Sequence, residues 1–152
     1  MPMRVWNARA SMLSTVAVGT DGSATASEAV EVAAQVAERF DAKLVLLSAC
    51  QKSPQAVSLG GPSEESQWAA NSDALVREML HRTEENLRDR KIDCTSMVGE
   101  GDPAEVLTRL AAQCNADLLV IGNRGMHRRV LGSVPNSVTH KAPCSVYVVK
   151  TT

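Results

Sequence analysis

The sequence predicts one α/β domain, a five-stranded parallel sheet with helices on both faces. Strand-like and helix-like segments alternate from Ser14 to the end of the chain, the pattern of βα units that build a parallel sheet. Lys43 to Cys50 is an apolar run without alternation, as expected of a strand buried on both faces. With only two Trp, one Tyr and one Phe in 152 residues, the core must be aliphatic. Hydrophobic residues at 44% and charged residues at 22% suit one compact domain of this length rather than two.

The first strand is Thr15 to Val18. From Ala26 the apolar positions Ala26, Val30, Ala33, Ala37 and Phe40 recur at helical spacing, with Glu28, Glu31, Gln35 and Glu38 opposite them, so an amphipathic first helix is expected. Lys43 to Cys50 is the second strand. Gln51 to Ser66 mixes Ser, Pro, Gly and Gln without periodicity and reads as a long loop. A second helix covers about 67–90, with Leu75, Val76, Met79, Leu80 and Leu87 toward the core. Ile92 to Val98 alternates as the third strand.

Asp102-Pro-Ala-Glu105 then joins an N-cap Asp, a Pro in the first helical position and a Glu three residues on, which together open a third helix ending near Cys114. Asp117 to Ile121 is the fourth strand, Gly122 to Leu131 a Gly-containing loop, Ser133 to Lys141 a short helix and Ser145 to Val149 the fifth strand. One reversal of strand order in such a sheet opens a crevice at the carboxyl ends of the central strands. A ligand is expected there.

Several function classes are disfavoured. A net charge of −1 argues against general nucleic-acid binding, which needs an excess of Lys and Arg. Cys50, Cys94, Cys114 and Cys144 lie far apart, without the pairing of a zinc or redox motif, and read as buried thiols. The apolar runs are too short to span a bilayer, so no membrane association is expected. Met1 to Met12 has no apolar region followed by a cleavage site, so residues 1–13 read as a tail or a start-site artefact, and the domain over 14–152 as cytoplasmic.

The most informative segment is Gly122-Asn-Arg-Gly125, six intervening residues, then Gly132-Ser-Val-Pro135. A glycine loop between a buried strand and a helix start lets backbone approach a phosphate, while first-turn amides and the helix dipole favour an anion. Ser133 adds a hydroxyl, Pro135 removes one amide, and Arg124, His127, Arg128 and Arg129 place basic groups nearby. The simpler reading makes Ser133 only an N-cap and the glycines only turns. Gly19-Thr-Asp-Gly-Ser23 ends the first strand at the same rim. There Asp21 either accepts ribose hydroxyls, helps hold Mg²⁺ beside phosphates, or forms an Asx turn that needs no ligand. A G-x-x-x-x-G-K-[ST] loop is absent, and Gly99-Glu-Gly-Asp-Pro-Ala104 only weakly fits a dinucleotide fingerprint, since Glu100 and Asp102 would repel a pyrophosphate.

These residues resemble the universal stress protein family. The resemblance rests on Val18 to Ser23, the Ala-rich first helix, Ala116 to Gly125, Leu131 to Asn136 and Ala142 to Val146. It implies an adenine nucleotide alpha hydrolase-like sheet of order 3-2-1-4-5. Thr20 and Asp21 would meet adenine and ribose, Ala49 would line the base, Ile121 and Gly122 would back the ribose-phosphate, and Gly125, Gly132, Ser133 and Val134 would cradle phosphates.

The implied ligand is ATP, with Mg²⁺ held indirectly through Asp21. The implied assembly is a homodimer through the last strand, and the implied role a stress-response regulator with no catalytic residue assigned. Slow ATP hydrolysis stays open. The family's ATP-binding branch reads G-x2-G-x9-G-[ST], whereas six residues separate Gly125 from Gly132 here. A shorter loop reaches less far around a triphosphate, which leaves a cAMP- or AMP-binding variant and a nucleotide-free dimeric interaction module as alternatives.

Overall fold

The structure is a computed structural model that describes residues 13–50, 64–123 and 132–150, with 64–72 as backbone alone. Its elements run β1 (Thr15–Gly19), α1 (Ala24–Phe40), β2 (Lys43–Cys50), α2 (Glu64–Asp89), β3 (Cys94–Glu100), α3 (Pro103–Gln113), β4 (Leu118–Asn123), α4 (Ser133–Lys141) and β5 (Ser145–Lys150). The strands form one parallel sheet in the order β3-β2-β1-β4-β5, as expected. No helix among the described residues is long and apolar enough to cross a membrane.

Two aliphatic layers sandwich the sheet. On one face the small residues Ala29, Ala33, Ala34 and Ala37 of α1, with Leu80 and Leu87 of α2, pack on Val16, Val18, Leu44 and Leu46. On the other, Val106, Leu107, Leu110 and Ala111 of α3, with Val138 of α4, cover Ala17, Val45, Leu47, Leu119 and Ile121. At about 25 cal/mol per Å² of apolar surface buried, this two-sided burial is the main source of stability. The face change falls between β1 and β4, where the chain leaves β1 for β2 on one side and returns from β3 to β4 on the other.

Several boundaries and faces differ from expectation. The first helix starts at Ala24 rather than Ala26, because Ser23 caps it by accepting from the Ala26 amide at 3.2 Å. The second begins at Glu64, inside the segment read as loop. The third strand begins at Cys94 rather than Ile92. The Ile92 amide instead donates back to Leu87 O at 3.1 Å through a left-handed Lys91, so this stretch closes α2 before any sheet pairing starts. The strand itself lies at the sheet edge and is half-buried on both faces rather than alternating.

Leu75 and Phe40, assigned to core faces, are 64% and 40% exposed, because Val76, Met79 and Leu80 take the sheet-facing positions of α2 and Ala37 ends that face in α1. Asp117 lies just before β4. Its carboxylate accepts from the Ser14 and Thr15 amides at 2.9 and 3.0 Å, tying the start of β4 to the start of β1.

Candidate functional site

A cleft of about 440 Å³ opens at the carboxyl ends of β1, β2 and β4. Such a crevice at a change of strand order is where open α/β sheets bind ligands. Thr20, Asp21, Ala49, Ile121, Gly122, Gly132, Ser133 and Val134 all line it, which brings together eight of the nine residues singled out from the sequence. The ninth, Gly125, lies outside the described residues, as do Arg124, His127, Arg128 and Arg129 and the rest of that loop.

Three buried polar side chains stand at this rim: Thr20, Ser48 and Asn123. Each is engaged with backbone. The Ser48 hydroxyl donates to Thr20 O at 2.8 Å, the Gly22 amide donates to Thr20 Oγ1 at 3.2 Å, and the Gly132 amide donates to Asn123 Oδ1 at 3.0 Å. Buried polar groups are tolerated when satisfied in this way. Their effect is to tie the residue after β1 to β2 and the residue that opens α4 to the end of β4.

The starts of α1 and α4 at the cleft differ electrostatically. At α1, Asp21 Oδ1 accepts from the Ser23 amide at 2.9 Å and Ser23 Oγ accepts from Ala26, so Asp21 forms the Asx turn and Ser23 supplies the cap. At α4 the N-cap is Gly132 and makes no side-chain cap bond. Ser133 is therefore the first helical residue, as the expected helix over Ser133 to Lys141 has it, and the simpler reading of Ser133 as only an N-cap does not hold. Pro135 carries no amide and the Asn136 amide donates to Gly132 O at 3.0 Å, so the amides of Ser133 and Val134 and the Ser133 hydroxyl are the donors this helix start offers an anion.

Glycine sits where elements approach closely. A Cβ on Gly122 would lie 2.9 Å from Thr25 Cγ2 and 3.0 Å from Thr25 O, and one on Gly19 would lie 3.0 Å from Leu107 Cδ1. Pro103 and Leu107 of α3 and Thr25 and Ala26 of α1 complete the lining. None of these was visible as a site residue from sequence, nor were Ser48 and Asn123. The signal for Ser48 is a polar residue interrupting an apolar strand run, and Asn123 lies within the Gly122-Asn-Arg-Gly125 segment already singled out, without a role assigned to it. In the weak dinucleotide fingerprint, Gly99 has a packing reason instead, since its Cβ would lie 2.6 Å from Val106 Cγ1. It does not line the cleft.

Burial, with Asp73 and Glu100 nearby, pushes the thiol of Cys50, beside Ala49, up from its ordinary value. Among the described residues, no group of three or more His, Cys, Asp or Glu could hold a metal ion. A Mg²⁺ at this rim would take Asp21 and the ligand's own phosphates, the usual minimal protein share for that ion.

Comparison with known proteins follows the same lines. A sequence model of the universal stress protein family matches residues 12–150. The chain belongs to the universal stress protein family. A universal stress protein of Mycobacterium tuberculosis is 36% identical over 144 residues, spanning 91% of this chain and 97% of its own. One from Methanocaldococcus jannaschii is 32% identical over 141 residues, spanning 89% and 81%. Among solved structures, a universal stress protein crystallised in complex with cAMP has 30% sequence identity and a TM-score of 0.72, over 93% of this chain and 100% of that one. This family member therefore shares fold and full domain length with its relatives.

Proposed function

We propose that the cleft binds an adenine nucleotide and that the chain acts as a nucleotide-dependent regulator rather than as a fast enzyme. The observation that carries the reading is the meeting of an α4 start that presents unproline-blocked amides at Ser133 and Val134 with the Asp21 rim and an apolar lining in one cleft. A nucleotide needs those three environments together: donors for phosphate, a carboxylate for ribose hydroxyls, and apolar surface for a base. In this reading Ala49 and Leu107 meet the base, Thr20 and Asp21 hold the adenosine end, and Gly132, Ser133 and Val134 take phosphate.

ATP is the first candidate, with Mg²⁺ between Asp21 and the phosphates. The relative crystallised with cAMP and the six-residue spacing before Gly132 favour a second candidate, a nucleotide with a single phosphate. Val146 to Val149 on the edge strand β5, with Tyr147 exposed, supports pairing of two copies through that edge. A cytoplasmic location and the absence of rapid turnover belong to the same proposal.

Chromatography of nucleotide released from denatured protein, with calorimetric titration of ATP, ADP, AMP and cAMP with and without Mg²⁺, tests it. The expected outcome is one saturable site per chain, weakened by Asp21→Ala and by Gly132→Val. No released nucleotide and no heat at millimolar ligand would reject the proposal.

A further inference from the structure

Asn123 is the last residue of β4 and is fully buried, at 0% exposure. Its Oδ1 accepts from the amide of Gly132, the residue that opens α4, across nine positions of sequence. We infer that Asn123 is a positioning residue: by holding Gly132 it aims the first-turn amides of α4 at the phosphate of the bound nucleotide, without touching the ligand itself. The inference rests on the nucleotide-binding reading above and assigns the element that sets how the phosphate is received.

α4 is nine residues long, too short to be stable alone, and its body is seated on the core by Pro135 and Val138, with Val134 alongside, so what remains to be set at its start is Gly132. Both α1 and α3 carry their own side-chain caps, from Ser23 and Asp102, whereas α4 begins on a glycine whose own amide is what Asn123 grips. Its first-turn donors thus stay directed into the cleft while the helix start is fixed from the strand side. An amide side chain suits the place. Asp would offer the same acceptor but would set a buried negative charge behind donors meant for an anion, and Ala would remove the acceptor from a part-buried amide.

The test compares AMP with adenosine, which share base and ribose but differ in phosphate, on wild type, Asn123→Ala and Asn123→Thr, with urea midpoints measured alongside. Asn123→Ala is expected to weaken AMP about tenfold, the scale of one net hydrogen bond's worth of alignment, while adenosine stays within about twofold. Asn123→Thr keeps nearly the same volume on a strand and buries no charge, but its hydroxyl is too short to take the place of Oδ1 on the Gly132 amide, so it is expected to retain the fold and adenosine affinity and still lose AMP affinity. It carries the test by itself where Asn123→Ala does not fold. Equal losses for the two ligands, or no loss of AMP, would overturn the inference while the nucleotide reading stands. Where wild type takes ATP or cAMP but not AMP, that nucleotide replaces AMP in the comparison; wild type that takes up none of them overturns the nucleotide reading and this inference with it.

Discussion

Replacing Gly122 by alanine isolates the close approach between β4 and α1. The added Cβ would sit 2.9 Å from Thr25 Cγ2 and 3.0 Å from Thr25 O. A rotamer change can relieve the first contact. The second is with backbone in the first turn of α1, so the helix start must move, and overpacking of this kind costs about 1–3 kcal/mol. With a urea dependence of about 1–3 kcal/mol per M, a loss near 2 kcal/mol shifts the unfolding midpoint by roughly 1 M. Thr25 and Gly122 both line the cleft, so the same shift is expected to lower nucleotide affinity.

Gly132→Ala is the internal control. Its φ is −60°, and its Cβ would come no nearer than 3.4 Å to Asn123 Oδ1, an ordinary contact, so the expected loss is under about 1 kcal/mol, that of a poorer N-cap. Urea denaturation followed by circular dichroism, with calorimetry for the ligand, reads both variants. If Gly122→Ala unfolds at the wild-type midpoint, or Gly132→Ala proves the more damaging change, then the close packing at Gly122 does not constrain this rim as argued.

Two further outcomes follow from charge and burial. Arg90 donates to Glu31 at 2.8 Å and to Glu38 at 3.1 Å, linking the end of α2 to α1 at the surface, and Arg90→Ala is expected to cost no more than about 1 kcal/mol, less at high salt. The Arg90 hydrogen bond holds the Glu31 carboxyl below its usual range. Its contribution is therefore present above the unfolded-state value and lost as pH falls through the folded one, visible as a smaller Arg90→Ala deficit in acid. Burial pushes the Cys94 thiol up to about 12, so this cysteine should resist alkylation at neutral pH until the protein unfolds. Its stabilisation is intact below the unfolded thiol value and declines as pH rises toward about 12, by at most about 1.4 kcal/mol per pH unit, which denaturation at pH 8 and 10 with a Cys94→Ala comparison would measure.

The fold was legible because its signals are local and repeated. Lys43 to Cys50 and Leu118 to Ile121 are apolar without a break, and the cap at Asp102-Pro103 fixes α3 to the residue, with Asp102 accepting from Glu105 at 3.2 Å. The ends of α1, α2 and α3 fell within a residue of expectation, closed by the left-handed Asp41, Lys91 and Asn115. The starts of α1, α2 and β3 were less legible, because a cap at Ser23 and the Ile92 bond back to Leu87 decide the first and the last. At the cleft, glycines and an acid at strand ends could be read in sequence, because backbone exposure and charge are properties of single residues. Leu107, Thr25 and Ser48 could not, since each matters through a neighbour brought in from another βα unit, nor could Asn123, whose partner Gly132 lies nine positions on in its own unit. Leu75 misled for the related reason that helical periodicity gives two adjacent apolar stripes and only packing chooses between them.

The pairing of β1 with β4 joins residues about a hundred positions apart, Val16 beside Leu118, while β1 also pairs with β2. The centre of the sheet is thus the earliest strand to leave the ribosome and among the last to be completed. At about 5–20 residues per second of synthesis, Val16, Ala17 and Val18 wait roughly 5–20 s for the neighbour that closes their second edge. Throughout that interval the nascent β1-α1-β2 unit presents an apolar strand edge able to recruit other chains. Slower translation between β2 and β4 would lengthen this vulnerable period, and aggregation in the cell should respond to codon usage over that stretch even when the finished protein is unchanged.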